Sequence, residues 1–351
     1  MNILVVATTR LCNDGLTAML IRCAEAAAEV HKVDFALGES AETEIFAELK
    51  KIGDVYDLSS RKYGLTGYMK RLTNTVRQGA YEAVHIHGNS ATMAFDLLAA
   101  KKGGARIRIT HGHNCAKQPL IKQKTLGVLL NRLVTKPASC SMEAGKMLYN
   151  KEFAVIPNGI DCERFRFIPE KREKKRKELG LDECFVIGHL GRFTAQKNQG
   201  RLIRIFQSVK ERNSEARLIL IGEGEDRERC QQATRKLGIA DDVMFVGQTK
   251  QPEDYYAAMD VLVMPSLFEG LPLAGVESQA NGLSCVFSET ITREADITGE
   301  NYFVSLEAED AVWAEIILKA KAGDRENAAA LVRERGYDAE MIKEQVLKLY
   351  E

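Results

Sequence analysis

The sequence predicts an α/β protein of two doubly wound domains, each a parallel sheet wrapped by helices. Three observations carry this. A chain of 351 residues is too long for one ordinary core and suits two domains of roughly 150 residues each. Short apolar runs alternate with segments of helical period in both halves. Between the halves lie a turn cluster, Pro157-Asn158-Gly159-Ile160-Asp161, and a charged run over residues 170–178 that reads as a linker or exposed helix. The expected domains are therefore 1–165 and 166–335, followed by a C-terminal helix at 336–351.

In the first half, strands are expected at 3–7, 32–36, 83–87 and 106–110, with helices at 16–29 and 91–102. The first run, Ile-Leu-Val-Val-Ala, is apolar at every position, as a strand covered on both faces should be. Asn13-Asp14-Gly15-Leu16-Thr17 then opens a helix. Asp14 suits an N-cap, and Gly15 with its neighbouring amides equally suits close approach to an anion. His85-Ile86-His87-Gly88-Asn89-Ser90 and Thr110-His111-Gly112-His113-Asn114 put histidines at two strand ends, the edge where open α/β sheets bind ligands. A single strand-end histidine is usually structural; two clusters argue for a site drawing on His87, Asn89, His111 and His113.

In the second half, strands are expected at 184–190, 217–221, 243–246, 261–264 and 284–287. The first leads into Gly191-Arg192-Phe193-Thr194-Ala195-Gln196-Lys197-Asn198 and a helix at 199–210. Arg192 offers a fork and Lys197 a point charge beside a helix start, which suits a diphosphate, although two exposed surface cations would look the same. Gly222-Glu223-Gly224-Glu225 follows the second strand; a lone Gly-x-Gly is weak, and a plain turn explains it as well as approach to a nucleotide does. After residues 261–264 and Pro265-Ser266 comes Glu269-Gly270-Leu271-Pro272-Leu273-Ala274-Gly275-Val276-Glu277. Gly270 and Pro272 make a tight turn, and the amides of residues 271–273 should lie unpaired at the helix start, where phosphate is favoured. Two carboxylates beside that place cannot hold the phosphate itself. They suit a ligand with hydroxyls on both sides of its phosphates, which describes a nucleotide-sugar. The apolar spacing of Met341, Ile342, Val346, Leu349 and Tyr350 predicts a final amphipathic helix.

Composition narrows the class. Apolar content of 45% with 28% charged residues is that of a globular protein, and no apolar stretch approaches the roughly 20 residues of a spanning helix. The first residues lack the basic start and cleavage site of a signal peptide, so a cytoplasmic protein is expected. Eight cysteines, Cys12, Cys23, Cys115, Cys140, Cys162, Cys184, Cys230 and Cys285, stand singly without zinc-like spacing and read as reduced, mostly buried thiols. Net charge is zero but uneven: residues 61–136 hold 14 basic residues against two acids, Glu82 and Asp96, a face that favours anionic partners. Few aromatics interleave it, which argues against nucleic acid.

Together these residues resemble the retaining glycosyltransferases of family 4, the group 1 glycosyltransferases, and most the bacterial members that build capsular or exopolysaccharide. The resemblance rests on Pro157 to Asp161, Gly191-Arg192 through Lys197-Asn198, Gly222 to Glu225, Phe245-Val246-Gly247, and Pro265-Ser266 leading to Glu269 and Glu277, in that order. It implies the GT-B architecture: two Rossmann-like domains facing a cleft, the acceptor held by the first, the nucleotide-sugar by the second, and a C-terminal helix crossing back to the first. Arg192 and Lys197 would hold the donor diphosphate, Glu277 the ribose, Glu269 the transferred sugar, and the amides of Gly270, Leu271 and Leu273 the distal phosphate. His113, or His111 in its place, matches the cleft histidine near the reacting centre; Gly15, His87 and Asn89 are acceptor-side candidates. Many members have Gly-Gly and an acid in the first loop, where this chain has Asp14-Gly15-Leu16-Thr17.

The implied reaction uses a nucleotide-sugar co-substrate, a UDP-sugar ahead of GDP-mannose, a glycan or lipid-linked acceptor, and neither cofactor nor metal, since no Asp-x-Asp triplet is present. The basic stretch from Arg61 to Lys136 would then meet anionic lipid at the inner membrane face. Two other readings share the same residues: a nucleotide-sugar 2-epimerase, which would turn over donor without acceptor, and a catalytically silent nucleotide-binding subunit, which would not need all of Arg192, Lys197, Glu269 and Glu277.

Overall fold

A computed structural model describes all residues except 13, 59–60, 62–63, 114–119 and 321–322, and leaves the side chains of 120–124 undescribed. Asn13, Asn114, Cys115 and, from the basic stretch, Lys62 and Lys117 thus fall outside the described residues. The chain forms two compact units, Met1–Asn158 with Ala339–Glu351, and Gly159–Asp338, where the sequence suggested breaks at 165 and 335.

The first unit is a seven-stranded parallel sheet ordered β3-β2-β1-β4-β5-β6-β7. Its strands are β1 Asn2–Ala7, β2 Lys32–Leu37, β3 Val55–Asp57, β4 Ala83–Gly88, β5 Ile107–Gly112, β6 Lys136–Ser139 and β7 Ala154–Val155. Helices α1 Gly15–Ala28, α2 Thr43–Ile52, α3 Leu65–Gln78, α4 Met93–Gly103, α5 Leu120–Leu133 and α6 Met142–Leu148 connect them. One apolar layer joins Ile3, Val5, Phe35, Met19 and Cys23 with Ile342, Val346 and Tyr350; the other joins Leu4, Val6 and Ile86 with Tyr68, Leu72 and Leu97. Alternate residues of β1 feed opposite layers, which is why its sequence carries no polar face.

The second unit is a six-stranded parallel sheet ordered β10-β9-β8-β11-β12-β13. The strands are β8 Phe185–Leu190, β9 Ala216–Ile221, β10 Val243–Gly247, β11 Val261–Met264, β12 Ser284–Ser288 and β13 Tyr302–Val304. Its helices are α7 Pro169–Leu179, α8 Gln199–Lys210, α9 Arg227–Lys236, α10 Pro252–Ala258, α11 Leu273–Ala280, α12 Asp310–Lys319 and α13 Ala328–Val332. The last helix, α14 Ala339–Lys348, belongs to the first unit and packs on α1, with the Tyr350 hydroxyl 2.7 Å from His85 Nδ1. Among the described residues no helix is long and apolar enough to cross a membrane.

The charged run at 170–178 proves to be most of α7, and it is not simply solvated. Arg172 and Arg176 both reach Asp260, at 2.6 and 3.2 Å, and Arg176 is buried. Asp260 also accepts from the Val186 amide at 2.7 Å. The run therefore anchors α7 to the start of the second sheet, a role that one-dimensional charge patterning conceals.

Candidate donor site at the switch point of the second sheet

In the second sheet the strand order reverses direction between β8 and β11, and open α/β folds place ligands beyond the carboxyl ends of strands at such a point. Both loops singled out in the sequence emerge there. The loop after β8 carries Arg192 and Lys197, and the loop after β11 carries Glu269 and Gly270 into α11.

Four contacts join the two loops. The Leu267 amide donates to the Gln196 carbonyl at 2.8 Å, Gln196 Nε2 donates to the Phe268 carbonyl at 3.0 Å, and Asn198 Nδ2 donates to the Pro265 carbonyl at 3.1 Å. Lys197 Nζ lies 2.7 Å from Glu269 Oε1. Asn198 sits just before α8 with φ of 57°, a left-handed conformation that asparagine tolerates better than most residues.

Lys197 and Glu269 are thus paired with each other, and Glu269 is buried. A carboxylate and an ammonium paired in one mostly dry place fix the geometry of both loops. Arg192 stands differently: it is partly exposed, and its guanidinium lies 3.7 Å from the exposed Glu225, a contact worth little in water.

Helix α11 begins after Pro272 with no side-chain cap, so the backbone amides at its start remain the positive end of the helix. Gly270 and Leu271 are buried and Leu273 half-buried. One turn further along, Glu277 accepts a 2.9 Å hydrogen bond from the hydroxyl of the fully buried Tyr256. Tyr256 was not anticipated from the sequence. Its partner is 21 residues away on another helix, and a tyrosine in an amphipathic segment reads as core.

The Gly-x-Gly segment has a use that the sequence left open. Gly222 and Gly224 adopt φ of 135° and 154°, and a Cβ on them would stand 2.2 Å from the carbonyl oxygens of Gly191 and Phe193 respectively. The Phe193 amide donates to the Glu223 carbonyl at 2.9 Å. These glycines let the backbone after β9 lie directly against the cation loop. Beneath that loop, His189 Nδ1 donates to the Val263 carbonyl at 2.8 Å, and Gln199 Nε2 reaches His189 Nε2 at 3.3 Å and the Arg192 carbonyl at 2.9 Å. Burial is the main cause lowering His189 to about 4, so it is a neutral strut at neutral pH. His189 lay inside an apolar strand run and carried no signal of this role.

In the first unit, Asp14 accepts from the Thr17 amide at 2.9 Å. Gly15 therefore starts α1 behind a carboxylate that already caps the helix, which disfavours an anion there. His87, His111 and His113 are all buried and stacked together, with His87 Nδ1 2.9 Å from His113 Nε2. Asn89 follows β4 with a buried Oδ1 that lacks a hydrogen-bond partner among the described residues. Of the basic stretch, Arg61 is already committed: it lies 2.7 Å from the fully buried Asp96, which also accepts from Tyr68 at 2.6 Å.

Two units, each a parallel sheet wrapped by helices in Rossmann-like order, are the fold of the GT-B class. A family model described as glycosyl transferases group 1 matches residues 171–337. A protein of Bacillus subtilis (strain 168) named as the glycosyltransferase EpsF is 31% identical over 301 residues, covering 81% of this chain and 78% of its own. The chain belongs to the group 1 glycosyltransferases. It is also similar to an Escherichia coli enzyme named UDP-Gal:alpha-D-GlcNAc-diphosphoundecaprenol alpha-1,3-galactosyltransferase, 28% identical over 255 residues, 67% of this chain and 63% of that one. Among solved structures, Anabaena Alr3699/HepE in complex with UDP superposes with a TM-score of 0.83 at 19% identity, covering 99% of both chains; at that identity the likeness shows the fold.

Proposed function

We propose that this transferase moves a sugar, with retention of configuration, from a nucleotide-sugar to a glycan or lipid-linked acceptor in cell-surface polysaccharide biosynthesis. A UDP-sugar is the first-choice donor, and no metal serves the donor diphosphate. The observation that carries the reading is the convergence of Arg192, the Lys197–Glu269 pair, the uncapped start of α11 and Glu277 at one sheet switch point. The names of relatives support the donor and acceptor classes: the E. coli enzyme is named for UDP-Gal and a diphosphoundecaprenol acceptor, a further relative for amylovoran biosynthesis, and HepE was solved with UDP-glucose.

The assigned roles follow charge. Breaking the anomeric C–O bond sends its electron pair onto the diphosphate, while positive charge grows on the sugar ring. Arg192, Lys197 and the amides of Gly270 and Leu271 in the turn before α11 and of Leu273 at its start face the growing negative charge, and preorganised groups of this kind contribute roughly a few kcal/mol each. Glu269 takes sugar hydroxyls and Glu277 the ribose. The acceptor oxygen attacks from the face that the leaving group departs, and its proton goes to the departing phosphate oxygen. In the first unit, His113 is assigned to the reacting centre and Gly15 and Asn89 to the acceptor side, while the fully buried His87 and His111 support His113 through ring contact.

Thermal shift with UDP, GDP, ADP and their sugar conjugates tests the donor site on wild type and Arg192→Ala, with and without EDTA. A ligand at about 100 times its Kd stabilises a protein by about 2.7 kcal/mol. A UDP-dependent shift that survives EDTA and disappears in Arg192→Ala is expected; no shift from any nucleotide sinks the reading. NMR of the product anomer tests retention.

We place the protein in the cytoplasm, peripheral at the inner membrane face through exposed Lys70, Arg71 and Arg77 of α3, since basic residues gain about 1 kcal/mol each near anionic lipid. Co-sedimentation with vesicles should rise with their anionic lipid content; binding that ignores it would overturn this placement.

A further inference from the structure

On the α1 face of the first sheet, His85 and His87 of β4 and His111 and His113 of β5 and its end form a block of stacked rings. Centroids lie 4.3 Å apart for His85 and His87, 4.5 Å for His111 and His113, and 5.2 Å for His87 and His111. Two hydrogen bonds serve the block, Tyr350 with His85 Nδ1 and His87 Nδ1 with His113 Nε2. Among the described residues, five ring nitrogens are buried without a hydrogen-bond partner: Nε2 of His85 and His87, both nitrogens of His111, and Nδ1 of His113. The Ile156 backbone approaches His111 and opposes the lowering that burial imposes, but without hydrogen-bond geometry. A buried polar group left unmatched costs roughly 1–3 kcal/mol, and such a concentration in one place calls for an occupant, water or ion. The buried thiol of Cys23 on α1 meets the same rings: its sulfur and one nitrogen each of His87 and His111 lie within 4.8 Å of one another.

We propose that Cys23, His87 and His111 bind one zinc-class divalent ion, in a site formed by the first unit alone. A thiolate with two neutral imidazoles is a ligand set of borderline softness that suits Zn²⁺ or Co²⁺ in tetrahedral geometry, with the fourth position left to water. Metal–ligand bonds of about 2.0–2.3 Å require the three groups to draw inward from their present spacing. Binding releases the Cys23 proton to solvent, because a coordinated thiol is deprotonated. With Nε2 of His87 on the ion, its proton resides on Nδ1 and is donated to His113 Nε2, which leaves His113 with its own proton on Nδ1. The ion thereby sets the tautomer of His113, as an outer partner of a metal-bound histidine is set in general. Residues 23, 87 and 111 come from α1, β4 and β5, so the spacing that reveals most zinc sites in sequence is absent here. The metal-free expectation drawn from the sequence is kept only for the donor diphosphate.

The test is spectroscopic and independent of transfer activity. Untagged full-length protein, stripped with chelator and dialysed, is titrated with Co²⁺ alone. One equivalent should bind with tetrahedral d–d absorption and a thiolate-to-cobalt charge-transfer band, both removed by one equivalent of Zn²⁺. Cys23→Ala should abolish the charge-transfer band and weaken binding at least tenfold while the circular dichroism of the stripped protein is unchanged. Should Cys23→Ala fail to fold, Cys23→Ser keeps the volume and should lose the same band, and His111→Asn should weaken binding in the otherwise intact chain. Absence of stoichiometric Co²⁺ binding, or binding unaltered by Cys23→Ala or Cys23→Ser, overturns the proposal and leaves ordered water as the occupant of the block.

Discussion

Lys197 Nζ stands 2.7 Å from Glu269 Oε1, tying the loop after β8 to the loop after β11 before any donor arrives. The two residues should therefore act as a unit. Lys197→Ala and Glu269→Gln are each expected to lower kcat by about 10²–10³, the scale seen when a preorganised charged or donor group is removed from a transition state. The double variant should lose far less than the product of the single losses, because neighbours in one ion pair are not additive. Kinetics of sugar transfer for the three variants decide this; independent, multiplicative losses would separate the two roles.

Tyr256→Phe removes only the hydroxyl that holds Glu277 at 2.9 Å. Loss of one hydrogen bond to a charged group is worth roughly 1.5–3 kcal/mol. If Glu277 takes the ribose, donor KM should rise about tenfold or more with kcat little changed, since uniform binding is what is lost. Titration calorimetry with the nucleoside diphosphate checks the same point, and an unchanged Kd would remove Tyr256 from the site.

Gly222→Ala places a methyl 2.2 Å from the Gly191 carbonyl oxygen at a φ of 135°. Both the clash and the backbone conformation oppose it, so a loss of about 2–4 kcal/mol is expected from strain and displacement of the cation loop. Urea unfolding measures the loss, and Arg192-dependent nucleotide binding should weaken with it. A Gly222→Ala protein of wild-type stability would show that the loop simply moves aside.

His189 carries a pH dependence whose sign is fixed by burial. Its folded value of about 4 lies below the unfolded value near 6.5, so the unfolded chain binds the proton first. The neutral-histidine contribution is fully present above about 6.5 and is lost as pH falls toward 4. Between pH 7 and 5 the loss from this residue is about 2 kcal/mol. His189→Gln has no such titration, and the difference in unfolding free energy between wild type and variant should narrow by that amount as pH falls. A constant difference would mean that His189 is not desolvated in the folded protein.

Much of the fold was legible because both sheets are parallel and covered on each face. Central strands such as β1, β8 and β11 must then be apolar at nearly every position, and turns must follow at their ends. The short strands β3, β6, β7 and β13 escaped for the complementary reason: they have so few residues that Val55–Asp57 or Lys136–Ser139 carries no continuous apolar run. The loops that carry Arg192, Lys197 and Glu269 and the helix that carries Glu277 were equally legible as elements following the strands, since charge, glycine and helix start are local patterns.

By itself, then, the sequence determined two doubly wound α/β units, the loops that bear charge, and a final amphipathic helix. Only the tertiary structure decided that Lys197 pairs with Glu269, that Tyr256 holds Glu277, that Gly222 and Gly224 make room for the cation loop, and that Cys23 meets His87 and His111. The physical reason is common to all four. Periodicity reports which side of an element is buried, whereas these relations join atoms from different elements, and their partners are chosen by strand order and helix packing, which no local spacing records.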